Sequence, residues 1–202
     1  MNKKIVHDAL ILTVFTLVLG LILAVVYGIT KDPIEAANQA TREAAYKAVF
    51  SDADSFTMME YDKDAATASV MEKGYSDTID DIETANAADG SVLGYVITVT
   101  AKDGSQGSIT FSVGIRNDGT VNGYSITDIS ETPGLGMKAA DEEFYSQFEN
   151  KNVDTFEVTK TGATAENQIE AITGSTITSK AMANGVNAAL EYFRSNLQGG
   201  AQ

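Results

Sequence analysis

Five hydroxyl side chains crowd into the stretch Glu170-Ala171-Ile172-Thr173-Gly174-Ser175-Thr176-Ile177-Thr178-Ser179-Lys180. Just beyond it, Met182, Val186, Ala189, Leu190, Phe193 and Leu197 recur at helical spacing along one face. Thr178 and Ser179 are the expected N-cap residues of that helix. A glycine and several hydroxyls at a helix N-terminus form a seat for a phosphate group, because free backbone N–H groups and the positive end of the dipole face the anion. Capping is the everyday use of such residues, and on residue types alone the stretch reads as a capped helix after a polar loop.

Other chemistries are closed to this chain. It has no cysteine, which excludes disulfides, thiolate metal sites, Cys-ligated iron–sulfur clusters and thiol catalysis. His7 is the single histidine, near the N-terminus, so neither a Ser-His-Asp triad nor a multi-His metal site is expected in a folded domain. No metal site is expected. Redox chemistry would need an organic cofactor. The net charge of −14, from 28 acidic and 14 basic residues, argues against nucleic acid as a partner.

The stretch resembles the flavin-attachment motif of the FMN-binding domain family, written Asp-Ala-(Ile/Val)-(Ser/Thr)-Gly-Ala-Thr-x-Thr-Ser. Glu170 takes the aspartate place, Thr173 and Gly174 match, Ser175 replaces the alanine, and Thr178 and Ser179 match the tail. The resemblance implies that Thr176 carries FMN through a phosphoester bond, with Thr173, Gly174, Ser175, Thr178 and Ser179 around it. Glu170 is expected to serve recognition by a separate flavin transferase. The departures are Glu170, longer than aspartate by a methylene, and Ser175, which sets a second hydroxyl beside the acceptor. A second stretch, Ser130-Glu131-Thr132-Pro133-Gly134-Leu135-Gly136, resembles the family's Glu-Thr-Pro-Gly-Leu-Gly loop. Taken alone it is a tight turn, since proline fixes φ and glycine allows φ > 0. By resemblance it lines the isoalloxazine pocket: Gly134 and Gly136 let the backbone approach, Leu135 and Met137 give apolar cover, and Glu131 and Thr132 hydrogen-bond the ring edge or fix the loop. Thr161-Gly162-Ala163-Thr164 matches the bare motif core by letters, but Val158 stands where the acidic residue belongs and Ala-Glu-Asn follows instead of x-Thr-Ser. It reads as a glycine turn.

The elements that must position these loops form an α+β plan. Residues 9–29 are almost wholly apolar, about 20 residues, enough to cross a bilayer core of ~30 Å. Lys3 and Lys4 precede this run, while Asp32 and Glu35 follow it, so the N-terminus is expected in the cytoplasm and the remainder outside. The run is longer than a signal peptide's and lacks a nearby Ala-x-Ala site, which favours an uncleaved anchor. Pro33 is expected to open a new helix over 34–50. Residues 51–88 are acidic and weakly patterned, with a strand suggested within 61–75. Strands are predicted at 92–101, 108–115 and 121–129, joined by short turns into an antiparallel meander backed by helices. A helical patch at 139–148 and a short strand at 155–159 precede the attachment loop. The expected divisions are 1–30 (cytoplasmic tip and transmembrane anchor), 31–88 (juxtamembrane helix and acidic segment), 89–198 (FMN-binding core) and 199–202 (tail).

The family includes the G component of the Rnf electron-transport complex and the C component of the sodium-pumping NADH:quinone reductase. The resemblance implies a membrane-anchored, covalent flavoprotein. It would pass electrons within an Rnf-type complex that couples ferredoxin and NAD chemistry to ion translocation, with other membrane subunits as partners. The single anchor and short domain suit the Rnf component better than its quinone-reductase counterpart. The quinone-reductase component, a free-standing extracytoplasmic flavin carrier and a non-redox, anchored binding module are the other readings.

Overall fold

The computed structural model describes residues 3–199; the rest of the expected tail, 200–202, lies outside the described residues. The chain divides into two units, one ending at Thr41 and the other starting at Arg42. Helix α1 (Lys3–Val49) fills the first unit and ends in the second; its apolar run is exposed, and the helix is long and apolar enough to cross a membrane. Pro33 lies inside α1 rather than opening a second helix. Glu35, Ala36 and Ala37 just beyond Pro33, and the Ala-rich run after them, carry the helix past the one backbone hydrogen bond that proline removes.

The second unit is built on a five-stranded antiparallel sheet in sequential order: β1 (Ser55–Met58), β2 (Thr78–Asn86), β3 (Val92–Ala101), β4 (Ile109–Arg116) and β5 (Val121–Ile129). The expected meander is its last three strands. Tyr95, Ile97, Val99 and Ala101 of β3 face the larger core, beneath helix α4 (Thr176–Tyr192). Val96, on the other face, packs with Tyr46, Val49 and Phe50 at the end of α1. Covered on both faces, β3 reads as a nearly continuous apolar run rather than an alternating one.

Two elements differ from expectation within 51–88. The suggested strand at 61–75 is instead helix α2 (Lys63–Glu72), capped by Asp62, whose carboxylate accepts from the Asp64 and Ala65 amides. The strand comes later, as β2, with a bulge: Ile79 pairs with Val99 and Asp81 with Thr98, leaving Asp80 as the extra residue. The bulge lets Ile79 and Ile82, three positions apart, both reach the core.

After β5 the chain forms a 3₁₀ turn (Gly136–Ala140), the short helix α3 (Glu142–Tyr145) and a second 3₁₀ turn (Ser146–Phe148). Short parallel strands β6 (Glu157–Thr159) and β7 (Gln168–Glu170) lead into α4. Buried Asn187 of α4 exchanges two hydrogen bonds with the Phe156 backbone, at 2.7 and 2.9 Å, and holds this arm to the helix. At Gly185 a Cβ would stand 2.5 Å from Phe111 Cζ, so glycine is what lets α4 lie this close to the sheet.

Candidate functional site

The attachment loop leaves β7 at Glu170 and enters α4 at Thr176. The helix begins one turn earlier than the hydroxyl pattern predicts. Ser175 occupies the N-cap position, while Thr178 and Ser179 lie in the first turn with side chains fully buried. They do not cap, because they have other work. Ser179 Oγ accepts the Ile172 amide at 2.9 Å and donates to the Ser175 carbonyl at 2.9 Å. The Ser175 and Thr178 hydroxyls bond each other at 2.8 Å. Ser175 itself is only 7% exposed.

Thr176, the first helical residue, is half-buried, and its hydroxyl has no hydrogen-bond partner among the described residues. The first backbone N–H of the turn with an intrahelical acceptor is Ser179's, bonded to the Ser175 carbonyl at 3.0 Å. The amides of Thr176, Ile177 and Thr178 therefore lie free at the positive end of the helix dipole. No acidic residue sits in this first turn, and exposed Lys180 follows it at the start of the second. A phosphate on Thr176 Oγ would meet favourable partial charge.

The 130–136 loop comes to the same place. Gly174 has φ +79°, and a Cβ built there would stand 3.2 Å from Leu135 Cδ2, so the two stretches meet where residue 174 has no side chain. Leu135 is 42% exposed and Ile177 is 60% exposed, which leaves apolar surface on either side of Thr176. Thr132 closes the turn through its carbonyl, which accepts the Leu135 and Met137 amides at 3.1 and 3.3 Å. Glu131 is buried and fixes the loop: Oε1 accepts the Ser105 and Gln106 amides at 2.6 and 3.3 Å. Its side chain also packs on Gly136, where a Cβ would lie 2.4 Å from Glu131 Oε2. Beyond the loop, the buried Tyr124 hydroxyl donates to the Ala139 carbonyl at 2.7 Å. Burial raises the Tyr124 pKa well above its ordinary value, so it stays a donor.

A cleft of about 400 Å³ opens beside Thr173, lined on one side by Glu170, Ala171 and Ile172 and on the other by Lys138, Phe144 and Gln147. Gln147 bonds both backbone groups of Glu170, accepting its amide at 2.7 Å and donating to its carbonyl at 3.3 Å. Sequence reasoning missed Lys138 and Gln147, which carry no motif and reach the site only through the turns after β5. The Thr161–Thr164 look-alike stands apart from this arrangement. Thr164 spends its amide and hydroxyl on Gln168 Oε1, both at 2.9 Å, and the loop leads into strand β7 rather than a helix.

FMN fits this arrangement. An anion seat, two reachable hydroxyls (exposed Thr173 and half-buried Thr176), bare backbone at Gly174, apolar side chains beside it and an adjoining cleft are what a phosphate with a flat ring system requires. An antiparallel sheet carrying such a site on the N-terminus of its packing helix defines an FMN-binding domain, and the FMN-binding domain model matches residues 104–191. The RnfG N-terminal region model matches residues 1–49. The G subunit of the proton-translocating ferredoxin:NAD(+) oxidoreductase complex of Clostridium ljungdahlii is 34% identical, over 89% of this chain and 86% of that protein. The G subunit of the Na(+)-translocating ferredoxin:NAD(+) oxidoreductase complex of Acetobacterium woodii is 32% identical, over 95% and 93%. The chain belongs to the RnfG family, the G subunits of Rnf-type ion-translocating oxidoreductase complexes. Its fold is that of the C subunit of the Na(+)-translocating NADH-quinone reductase from Parabacteroides distasonis, with a TM-score of 0.51 at 21% identity over 70% of this chain and 76% of that one.

Proposed function

We propose that this chain is the flavin-bearing subunit of an Rnf-type complex, which moves electrons between ferredoxin and NAD while translocating an ion. It is anchored by the apolar part of α1, with the N-terminus in the cytoplasm and the sheet domain outside. Lys3 and Lys4 ahead of the span, and Asp32 and Glu35 behind it, support that orientation. FMN is held covalently through its phosphate on Thr176. Once bound, it supplies one- and two-electron transfer.

The observation that carries this reading is the meeting of two distant loops at Gly174 and Leu135, beside the only reachable hydroxyl between Ser175 and Ser179. The chain's own residues then have defined tasks. The free amides of the first turn of α4 stabilise the phosphodiester's charge by about 0.3–1 kcal/mol. Leu135 and Ile177 shield the ring from water, while the cleft beyond is acidic, with Asp141, Glu143 and Glu170 around the single Lys138. Glu131 holds the shielding loop in place from behind. A threonine hydroxyl is a poor nucleophile near neutral pH, so attachment requires a flavin transferase. Tethering keeps the flavin from being lost outside the membrane.

Denaturing gel electrophoresis of the membrane fraction under ultraviolet light tests the proposal. A fluorescent band at the mass of this chain is expected, absent in Thr176→Ala and partly retained in Thr176→Ser. Peptide mapping that locates flavin on another residue would overturn the assignment, and an unlabelled wild-type chain would overturn covalent attachment.

A further inference from the structure

The segment from Thr173 to Ser179 carries five hydroxyls, and three of them are sealed inside the protein: Ser175 is 7% exposed, and Thr178 and Ser179 are 0% exposed. Buried hydroxyls in a loop of this kind must be satisfied, and each is, by another member of the same short segment. Ser175 and Thr178 bond each other across the first turn of α4. Ser179 bridges the Ile172 amide and the Ser175 carbonyl, so it clamps both ends of the loop whose middle is Gly174. The Ser175 backbone is also held by its amide, which donates to the Ile172 carbonyl at 2.9 Å. Thr176 alone among the helix's first four residues presents an unbonded hydroxyl at the surface.

We infer that this network is an acceptor-selection device: Ser179 and the Ser175–Thr178 pair are positioning residues that make Thr176, and not the neighbouring Ser175, the residue modified. The inference rests on the proposal that flavin is attached to this segment. In the transfer, Thr176 Oγ forms a bond to the flavin phosphorus of a flavin dinucleotide. The pyrophosphate P–O bond breaks, the nucleoside monophosphate leaves with that oxygen, and the hydroxyl proton passes to the transferase or water. A serine would be chemically adequate for this step. Ser175 is disqualified by place: its hydroxyl is committed to Thr178 and turned from solvent. Ser179 contributes differently. Without it, the Ile172 amide is left without its buried acceptor and the loop loses the clamp that fixes the direction of Thr176 Oγ.

The full chain, made with its flavin transferase, tests this by mass mapping of the modified residue and by initial rates of flavin incorporation at varied protein concentration. Thr176→Ala should remain unmodified at Ser175 despite the adjacent hydroxyl. The double variant Thr176→Ala, Thr178→Ala, which removes both Ser175's partner and the side-chain bulk beside it, should acquire measurable flavin on Ser175; none there would overturn the role of the pair. Ser179→Ala should lower the turnover of incorporation roughly tenfold, the equivalent of about 1.4 kcal/mol, and Ser179→Thr should restore most of it. The thermal unfolding midpoint, measured alongside, separates slow modification from loss of fold. Flavin on Ser175 in the single Thr176→Ala variant, or Ser179→Ala modified at the wild-type rate, would overturn the selection device while leaving covalent attachment intact. A wild-type chain without flavin on Thr176 would instead overturn the reading on which it rests.

Discussion

Asp77 gives the sharpest stability prediction. It sits between α2 and β2, 1% exposed, and neither carboxylate oxygen has a hydrogen-bond partner among the described residues. Burial first, and the nearby charge of Asp103 second, push its pKa from 3.8 up to about 6, against smaller opposing effects of its own backbone amide and Lys102. A carboxyl whose folded-state pKa is raised binds its proton more tightly in the folded protein. Stability is therefore fullest below about pH 4 and falls as pH rises through about 6, where the charge is forced into the interior. The raised pKa corresponds to about 3 kcal/mol at neutral pH. Asp77→Asn removes the titration. The buried amide it introduces also lacks partners, so the absolute gain is smaller than this figure, and the diagnostic is the pH slope. Urea unfolding of the detergent-solubilised chain, followed by circular dichroism from pH 4 to 8, should show wild type losing about 2–3 kcal/mol relative to Asp77→Asn across the interval. Acids common to both proteins cancel in that difference. Parallel pH profiles would refute the argument. Asp103→Asn should shift the drop to lower pH without abolishing it. The effect bears on the site, because Asp103 begins the loop whose Ser105 and Gln106 amides are held by Glu131.

Other outcomes follow from the same geometry. Thr164→Ala should leave flavin attachment unchanged in the fluorescent-gel assay, since that hydroxyl is spent on Gln168. Leu135→Asp puts a charge beside Gly174 and should alter the flavin absorption spectrum or midpoint potential; no change in either would separate the 130–136 loop from the flavin. Tyr124→Phe strands the buried Ala139 carbonyl and should cost about 1–3 kcal/mol in urea unfolding. Gly185→Ala drives a methyl against Phe111, inside a core with no room to yield, and should cost about 1–3 kcal/mol by the same measurement.

Much of this protein was legible before any fold was known. The apolar span at 9–29, the central strands β3 to β5, the terminal helix and both glycine-containing loops are local signals: hydropathy, β-branched runs, turn residues and helical spacing act over neighbours in sequence. The spacing of Ile79 and Ile82 hid β2, because strand periodicity is two and theirs is three. Only pairing with β3, and the bulge at Asp80 that this pairing requires, makes both inward-facing. Pro33 misled in the opposite sense, since a local rule for helix starts was outweighed by the apolar helix running into it and the Ala-rich helix formers after it. At the site, the sequence supplied the hydroxyls but not their separate fates. Ser175, Thr176, Thr178 and Ser179 are chemically near-equivalent as letters. They become one half-buried, unbonded hydroxyl at Thr176 and three buried, bonded ones only when the first turn of α4 settles against the sheet, because burial is a property of what packs against a residue and not of the residue itself. The meeting of Leu135 with Gly174 is likewise a tertiary fact: 39 positions separate them in the chain, and β6, β7 and the turns after β5 together bring them within a methyl's width.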